Sequence, residues 1–193
     1  MSVTKETTIE LIKNTAYKLF VERGYDKVTI NEICQACGIV KSTFYYHVKS
    51  KEELISHLYD NICEIIYSNV PEIIKADNYW EALWKCIEPI LQFSTEIGPD
   101  LNVQSLKANL NNDIGTYDLK EELKKISIPL IEKAQQLGQI RNQSRPEDLY
   151  EATIHAIYGY DLVWCIKKGN FNKIDKTRKT LEALYDIAPE NRF

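Results

Sequence analysis

Glycine and proline are scarce in this chain, seven and six among 193 residues, and no stretch shows the two-residue alternation of a half-buried strand. That excludes a sandwich or barrel built on many tight turns; apolar residues recur instead at spacings of three and four nearly throughout. Cysteine is also sparse: five residues, an odd number and scattered, which argues against the disulfide framework of a small secreted domain. No apolar run approaches the ~18–20 residues a membrane span needs, and no hydrophobic segment stands before Lys5 to Lys13 as a signal peptide would. The expectation is a soluble, cytoplasmic, all-α protein with reduced thiols and no membrane partner. Cys34 and Cys37 have metal-site spacing but lie in a helix without a second pair, and the three histidines (His47, His57, His155) complete no familiar ligand set. Burial is the expectation for both thiols. With no phosphate loop and no nucleophile–base arrangement either, an all-helical enzyme finds little support, and no catalytic residue, metal or cofactor is expected.

What is present concentrates near the N-terminus. Residues 1–51 hold eight Lys/Arg against five Asp/Glu, whereas the remainder holds 16 against 23. A modest basic excess at one end of an acidic chain points to a local polyanion contact rather than a nucleic-acid coat. Within it, TINEICQACGIVKSTFYYHVKSKEEL (residues 29–54) is the most informative segment. Thr29 followed by Glu32 is a capping box that starts a helix, with Ile30, Ile33, Cys34 and Cys37 on one stripe. Gly38 ends it, where a left-handed backbone costs little. The next helix, roughly Val40 to His47, buries Phe44 and presents Lys41, Ser42, Thr43, Tyr45, Tyr46 and His47. Ser50 and Glu53 form a second box and start a further helix. Helix, tight turn, polar helix is the pattern of a helix-turn-helix. Upstream, Ile9, Ile12, Ala16, Leu19 and Phe20 mark an amphipathic helix ending at Gly24, the wall that a two-helix reader lacks.

GIVKSTFYYHVKSKEEL, together with AYKLFVERGYDKVTI upstream, resembles the signature of TetR-type bacterial transcriptional regulators across about residues 7–60. The resemblance implies a DNA-binding helix-turn-helix domain over 1–49 (motif about 29–48) and a helical effector-binding and dimerisation domain over 50–193. It implies contacts to double-stranded DNA from Lys41 and Ser42, at base edges or phosphates in the first turn of the recognition helix. Thr43 belongs to the same face, and Tyr45, Tyr46 and His47 resemble the family's backbone clamp. Thr29, Lys49 and Lys51 are further candidates for phosphate, with packing into the small core as the alternative for Tyr46. Two departures stand out. Val40 replaces the usual Ser or Thr at the start of the recognition helix, forgoing an N-cap of about 1 kcal/mol, and Val48 replaces the usual Phe behind His47.

Beyond the motif, a long helix of about Ser50 to Val70 is expected to leave the DNA-binding unit and enter the second one. Asn78 caps a helix to about Ile97 with Pro89 inside it as a kink or break, and Pro99 opens one to about Leu110. Asp118 with Glu121 caps the next, to about Leu137; Pro146 starts one to about Lys168, and the last covers about 174–187. Ala152, Ala156, Gly159 and Val163 form a stripe of mostly small residues, matched by Leu181 and Leu184. Either a homodimer interface or an intrachain core could use them, and the resemblance favours a two-fold four-helix interface. A two-fold reader implies a near-palindromic operator with recognition helices ~34–36 Å apart or somewhat more. Tyr59, Ile62, Trp80, Trp84, Ile87, Leu91, Tyr158 and Leu162 are candidate walls of a small-molecule effector pocket, with Glu88, His155 and Asp161 as its polar groups; ordinary core is the competing reading for the apolar ones. The combined expectation is a sequence-specific, ligand-responsive dimeric repressor. Its rival is a protein of the same fold that acts mainly through a protein partner, with weak or architectural DNA binding.

Overall fold

The computed structural model describes residues 7–56, 62–113 and 121–193, excluding the side chains of residues 56, 62, 63 and 122. Every regular element among them is helical, and the sole β-type pairing is an isolated antiparallel bridge between Ile140 and Ile187. Two compact units are distinguished: residues up to 60 together with 97–116, and residues 61–96 together with 117–193.

The first unit opens with α1 (Thr8–Arg23), started by a Thr7/Glu10 capping box and burying Ile12, Ala16, Leu19 and Phe20. Those positions fall on one stripe because three- and four-residue steps return to the same helix face. A single 3-10 turn, Tyr25–Lys27, leads through buried Val28 to α2 (Ile30–Cys37) and α3 (Lys41–His47). α4 (Lys51–Ser56) follows at once, and α8 (Gly98–Asn111) belongs to the same unit, packing on α1 and α4 through its buried face of Leu101, Asn102 and Ser105. The Ser50 box forms only in part. Ser50 Oγ accepts from the Glu53 amide at 3.3 Å, but the Glu53 carboxylate turns to the Lys49 amide at 2.6 Å.

The second unit holds α5 (Ile62–Ser68), α6 (Val70–Ile74), α7 (Tyr79–Glu96), α9 (Glu121–Gln136), α10 (Pro146–Ile166) and α11 (Lys173–Leu184). Residues 57–61, in the middle of the long helix expected over 50–70, lie outside the described residues, as does the expected cap Asp118. α7 is the hub, packing against α5, α6, α9 and α11. Asn78 Oδ1 accepts from the Glu81 amide at 2.8 Å, which explains where α7 starts. Pro89 interrupts its ladder without ending it. Lacking an N–H, Pro89 leaves the Lys85 carbonyl free, and Asn69 Nδ2 donates to that carbonyl at 2.6 Å. The core joins Trp80, Leu83, Ile87 and Leu91 of α7 to Ile131, Tyr150, Ile154, Leu181 and Tyr185. Inside it, the Thr153 and Tyr185 hydroxyls share a hydrogen bond of 2.8 Å, so two buried polar groups satisfy each other. α11 stops at Leu184, short of the expected 187, because Asp186 takes a left-handed φ of 49° and sends Ile187 to its bridge with Ile140. No helix among the described residues is long and apolar enough to cross a membrane.

Candidate nucleic-acid interface

The turn between α2 and α3 is set by Gly38, at φ 65° and ψ 30°, whose N–H closes on the Cys34 and Gln35 carbonyls. A side chain there would meet no steric neighbour, yet the left-handed backbone itself favours glycine. α2 is fixed at its other end by the reciprocal Thr29/Glu32 box: the Glu32 amide donates to Thr29 Oγ1 at 3.3 Å, and the Thr29 amide donates to Glu32 Oε2 at 2.8 Å. These amide and hydroxyl donors hold the Glu32 carboxyl below its ordinary value. α3 is anchored from beneath by Phe44, 0% exposed, and by Val48 just past its end. Its outer face is then determined by helical geometry. Lys41, Ser42, Tyr45 and Tyr46 are exposed, and Thr43 and His47 are half-buried. Tyr46 is 84% exposed, so packing into the small core is not its role; its ring instead stands edge-on to His47, centroids 4.9 Å apart. Val40 occupies the N-cap position with extended backbone and no side-chain hydrogen bond.

Two of the candidate phosphate ligands have other occupations. The Thr29 hydroxyl is committed to the capping box, donating to Glu32 Oε2 at 2.8 Å. Lys51 Nζ donates to the Tyr25 and Val28 carbonyls at 2.8 and 3.0 Å and lies 3.9 Å from the Tyr25 ring centroid. An ammonium has three donors, and here two carbonyls and a ring face account for them. Lys51 therefore docks the start of α4 onto the turn after α1. Lys49 is exposed. Sequence reasoning missed the clamp because nothing local to Lys51 announces partners 23 and 26 residues away.

The pocket candidates among the described residues differ in burial. Tyr59 and the side chain of Ile62 lie outside the described residues. Trp80, Trp84, Ile87 and Leu91 are 0–3% exposed and packed as core. Tyr158 is half-buried against that core, while His155 and Leu162 face outward, the His155 Nδ1 pairing with the Glu151 carbonyl at 2.8 Å. Asp161 is engaged by Lys173, which the sequence reading did not single out. Trp84 and Glu88 line an open cleft of about 410 Å³ with residues of α11. The interface candidates also separate. Gly159 and Val163 are exposed, whereas Ala152, Ala156 and Leu184 are half-buried and Leu181 is wholly inside the chain's own core. Cys34 is buried, and burial pushes its thiol up; Cys37 Sγ faces the Leu11 carbonyl at 3.9 Å. No three His, Cys, Asp or Glu side chains among the described residues gather as a metal site.

A short helix, a glycine turn and a second helix with a polar outer face over a buried aromatic define a helix-turn-helix unit. Residues 12–58 match the family model described as bacterial regulatory proteins, tetR family. Residues 12–58 are thus similar to the DNA-binding segment of TetR-type regulators. The Transposon Tn10 TetC protein of Escherichia coli is 33% identical over 88 residues, covering 46% of this chain and 45% of that protein. The biofilm operon icaADBC HTH-type negative transcriptional regulator IcaR of Staphylococcus epidermidis is 29% identical over 80 residues, 39% of this chain and 43% of that one. The chain therefore spans less than half the length of these curated relatives. The fold is shared more widely: Thermus thermophilus FadR, a TetR family transcriptional repressor solved in complex with lauroyl-CoA, aligns over 91% of this chain and 92% of its own at a TM-score of 0.66 and 18% identity.

Proposed function

We propose that this chain is a homodimeric, sequence-specific DNA-binding transcriptional regulator that represses from a near-palindromic operator and is released by a small-molecule effector. The observation that carries the reading is the outer face of α3: Lys41, Ser42, Tyr45 and Tyr46 point to solvent from a helix whose position Phe44 and Val48 fix. A cation and hydroxyl donors so held suit phosphate oxygens and base edges, with Thr43, His47 and Lys49 flanking them. Thr29 and Lys51 act in this account as supports of the reading head. The reading assigns no catalytic role to any residue.

Dimerisation is supported by the outer side of α10, where Gly159 is exposed and Leu162, Val163 and Ile166 are 45%, 45% and 66% exposed. A contiguous apolar strip of this kind favours burial against a partner. Repression and effector response are carried over from the names of the relatives, one a negative regulator and one a repressor holding an acyl-CoA. An effector shifts operator affinity only by its differential affinity for two states, typically ~1–3 kcal/mol.

The test is Lys41→Ala combined with Tyr45→Phe, titrated against a selected duplex over a range of salt. Weakened binding, a salt slope lower by about one and an unchanged melting temperature are expected. Unchanged binding overturns the reading and favours action through a protein partner.

A further inference from the structure

α1, α2 and α4 each start on a hydroxyl that accepts a backbone amide: Thr7 Oγ1 from Glu10 at 3.4 Å, Thr29 Oγ1 from Glu32 at 3.3 Å and Ser50 Oγ from Glu53 at 3.3 Å. α3 starts on Val40, which has the extended backbone of an N-cap and no side-chain hydrogen bond. Its isopropyl group does not pack into the core either. Val40 is 66% exposed, whereas Phe44 and Val48, at 0% and 2%, form the support beneath α3. A Ser, Thr, Asn or Asp at this position would add a cap and leave less hydrocarbon in water. A local rule broken without a compensating contact inside the chain marks a functional position.

The side chain is also firmly held. The Ile39 amide donates to the Cys34 carbonyl at 3.0 Å and closes the turn before Val40, whose own carbonyl accepts from the Thr43 and Phe44 amides at 3.0 and 3.2 Å. A β-branched side chain on a fixed backbone has few rotamers to lose, so contact with a partner costs little entropy. Lys41 and Ser42 follow directly and are exposed, which places Val40 at the leading end of the face that meets the duplex. When a helix-turn-helix docks, the first residues of its second helix reach base edges in the major groove. Among the four unmodified bases, thymine alone displays a methyl group there.

We propose that Val40 is a specificity-determining residue that reads the C5 methyl of a thymine in each operator half-site. Its isopropyl group and that methyl bury each other, a contact between hydrocarbons in which the amides of so short a helix play no part. Cytosine offers an amino group and no methyl at the same place, so the contact separates T·A from C·G. The stability forgone at the N-cap is then exchanged for discrimination at one base pair. This assignment rests on the operator reading above and adds to it the base preferred at one position of the half-site.

The experiment titrates the full chain against a duplex selected from a random library, with each thymine replaced in turn, symmetrically in both half-sites, by uracil. That exchange removes the methyl and keeps the base pairing. At one thymine position the wild-type chain should lose about fourfold in affinity per half-site, and about tenfold or more for the symmetric pair. In Val40→Ser the same replacement should cost less than about twofold, although this variant melts no lower than wild type. Val40→Ile, which keeps the branched hydrocarbon, should retain the uracil penalty. A selected half-site without thymine, a wild-type chain indifferent to uracil at every position, or an equal penalty in Val40→Ser would each overturn the assignment and leave the operator reading standing. Failure to select any duplex would overturn the operator reading and this assignment with it.

Discussion

Lys173 Nζ lies 2.6 Å from Asp161 Oδ1, and the lysine side chain is 1% exposed. The ammonium donates also to Ser94 Oγ at 2.7 Å and stands 4.1 Å from the Trp164 ring centroid. Three helices, α7, α10 and α11, are therefore joined through one buried cation. Removing its partner leaves a charge that the interior cannot solvate. Asp161→Asn should destabilise the protein by about 3 kcal/mol, whereas Lys173→Met with Asp161→Leu should recover most of that loss. Urea denaturation of the single and double variants checks the order; a single variant as stable as wild type would contradict it.

Val40 offers the opposite sign. Its backbone already has the extended geometry of an N-cap, φ −90° and ψ 157°, its side chain accepts nothing, and it is 66% exposed. Val40→Ser should therefore stabilise the chain by up to about 1 kcal/mol through a hydroxyl accepting from an amide of the first turn of α3. A rise in melting temperature is the expected readout.

Lys51 should behave as a structural residue. Lys51→Met removes two donors from the Tyr25 and Val28 carbonyls and a cation from the Tyr25 ring, and a loss of about 2 kcal/mol is expected. The salt slope of DNA binding by the folded variant should stay at the wild-type value. A slope lower by about one would instead make Lys51 a phosphate ligand.

The capping boxes predict an acid limb of stability. Glu10 and Glu32 both titrate below their ordinary value of 4.5, chiefly because the backbone amides of Thr7 and Thr29 donate to the charged carboxylates. A lowered folded-state pKa contributes stability that is fully present above the unfolded value and lost as pH falls through the folded one. The melting temperature should accordingly be insensitive to these groups from about pH 7 to about pH 5 and decline below about pH 4.5. Glu10→Gln with Glu32→Gln should flatten that decline; an unchanged acid limb would contradict the assignment.

What the sequence disclosed follows the range of the interactions concerned. The Thr29/Glu32 box, the Gly38 turn, the uncapped Val40 and the Phe44 anchor are fixed by neighbours within a few residues, so a local pattern suffices to read them. The Asn78 cap is of the same kind, whereas the Asn69 amide that satisfies Lys85 and lets α7 continue through Pro89 could not be foreseen. Lys51 and Lys173 were opaque because their partners are distant, and a lysine at a helix start looks the same whether it is solvated or buried. Trp80, Ile87 and Leu91 illustrate a second limit: an apolar stripe on a helix has one appearance whether it lines a cavity or fills a core. Leu181 shows the same ambiguity between a core and an interface.

Selection of bound duplexes from a random library at about 150 mM salt tests the central claim most directly. The account predicts enrichment of a palindrome whose half-sites lie about one duplex turn apart or somewhat more, lost in the Lys41→Ala, Tyr45→Phe variant. Absence of any enriched sequence, from protein shown to be folded and dimeric, would contradict it.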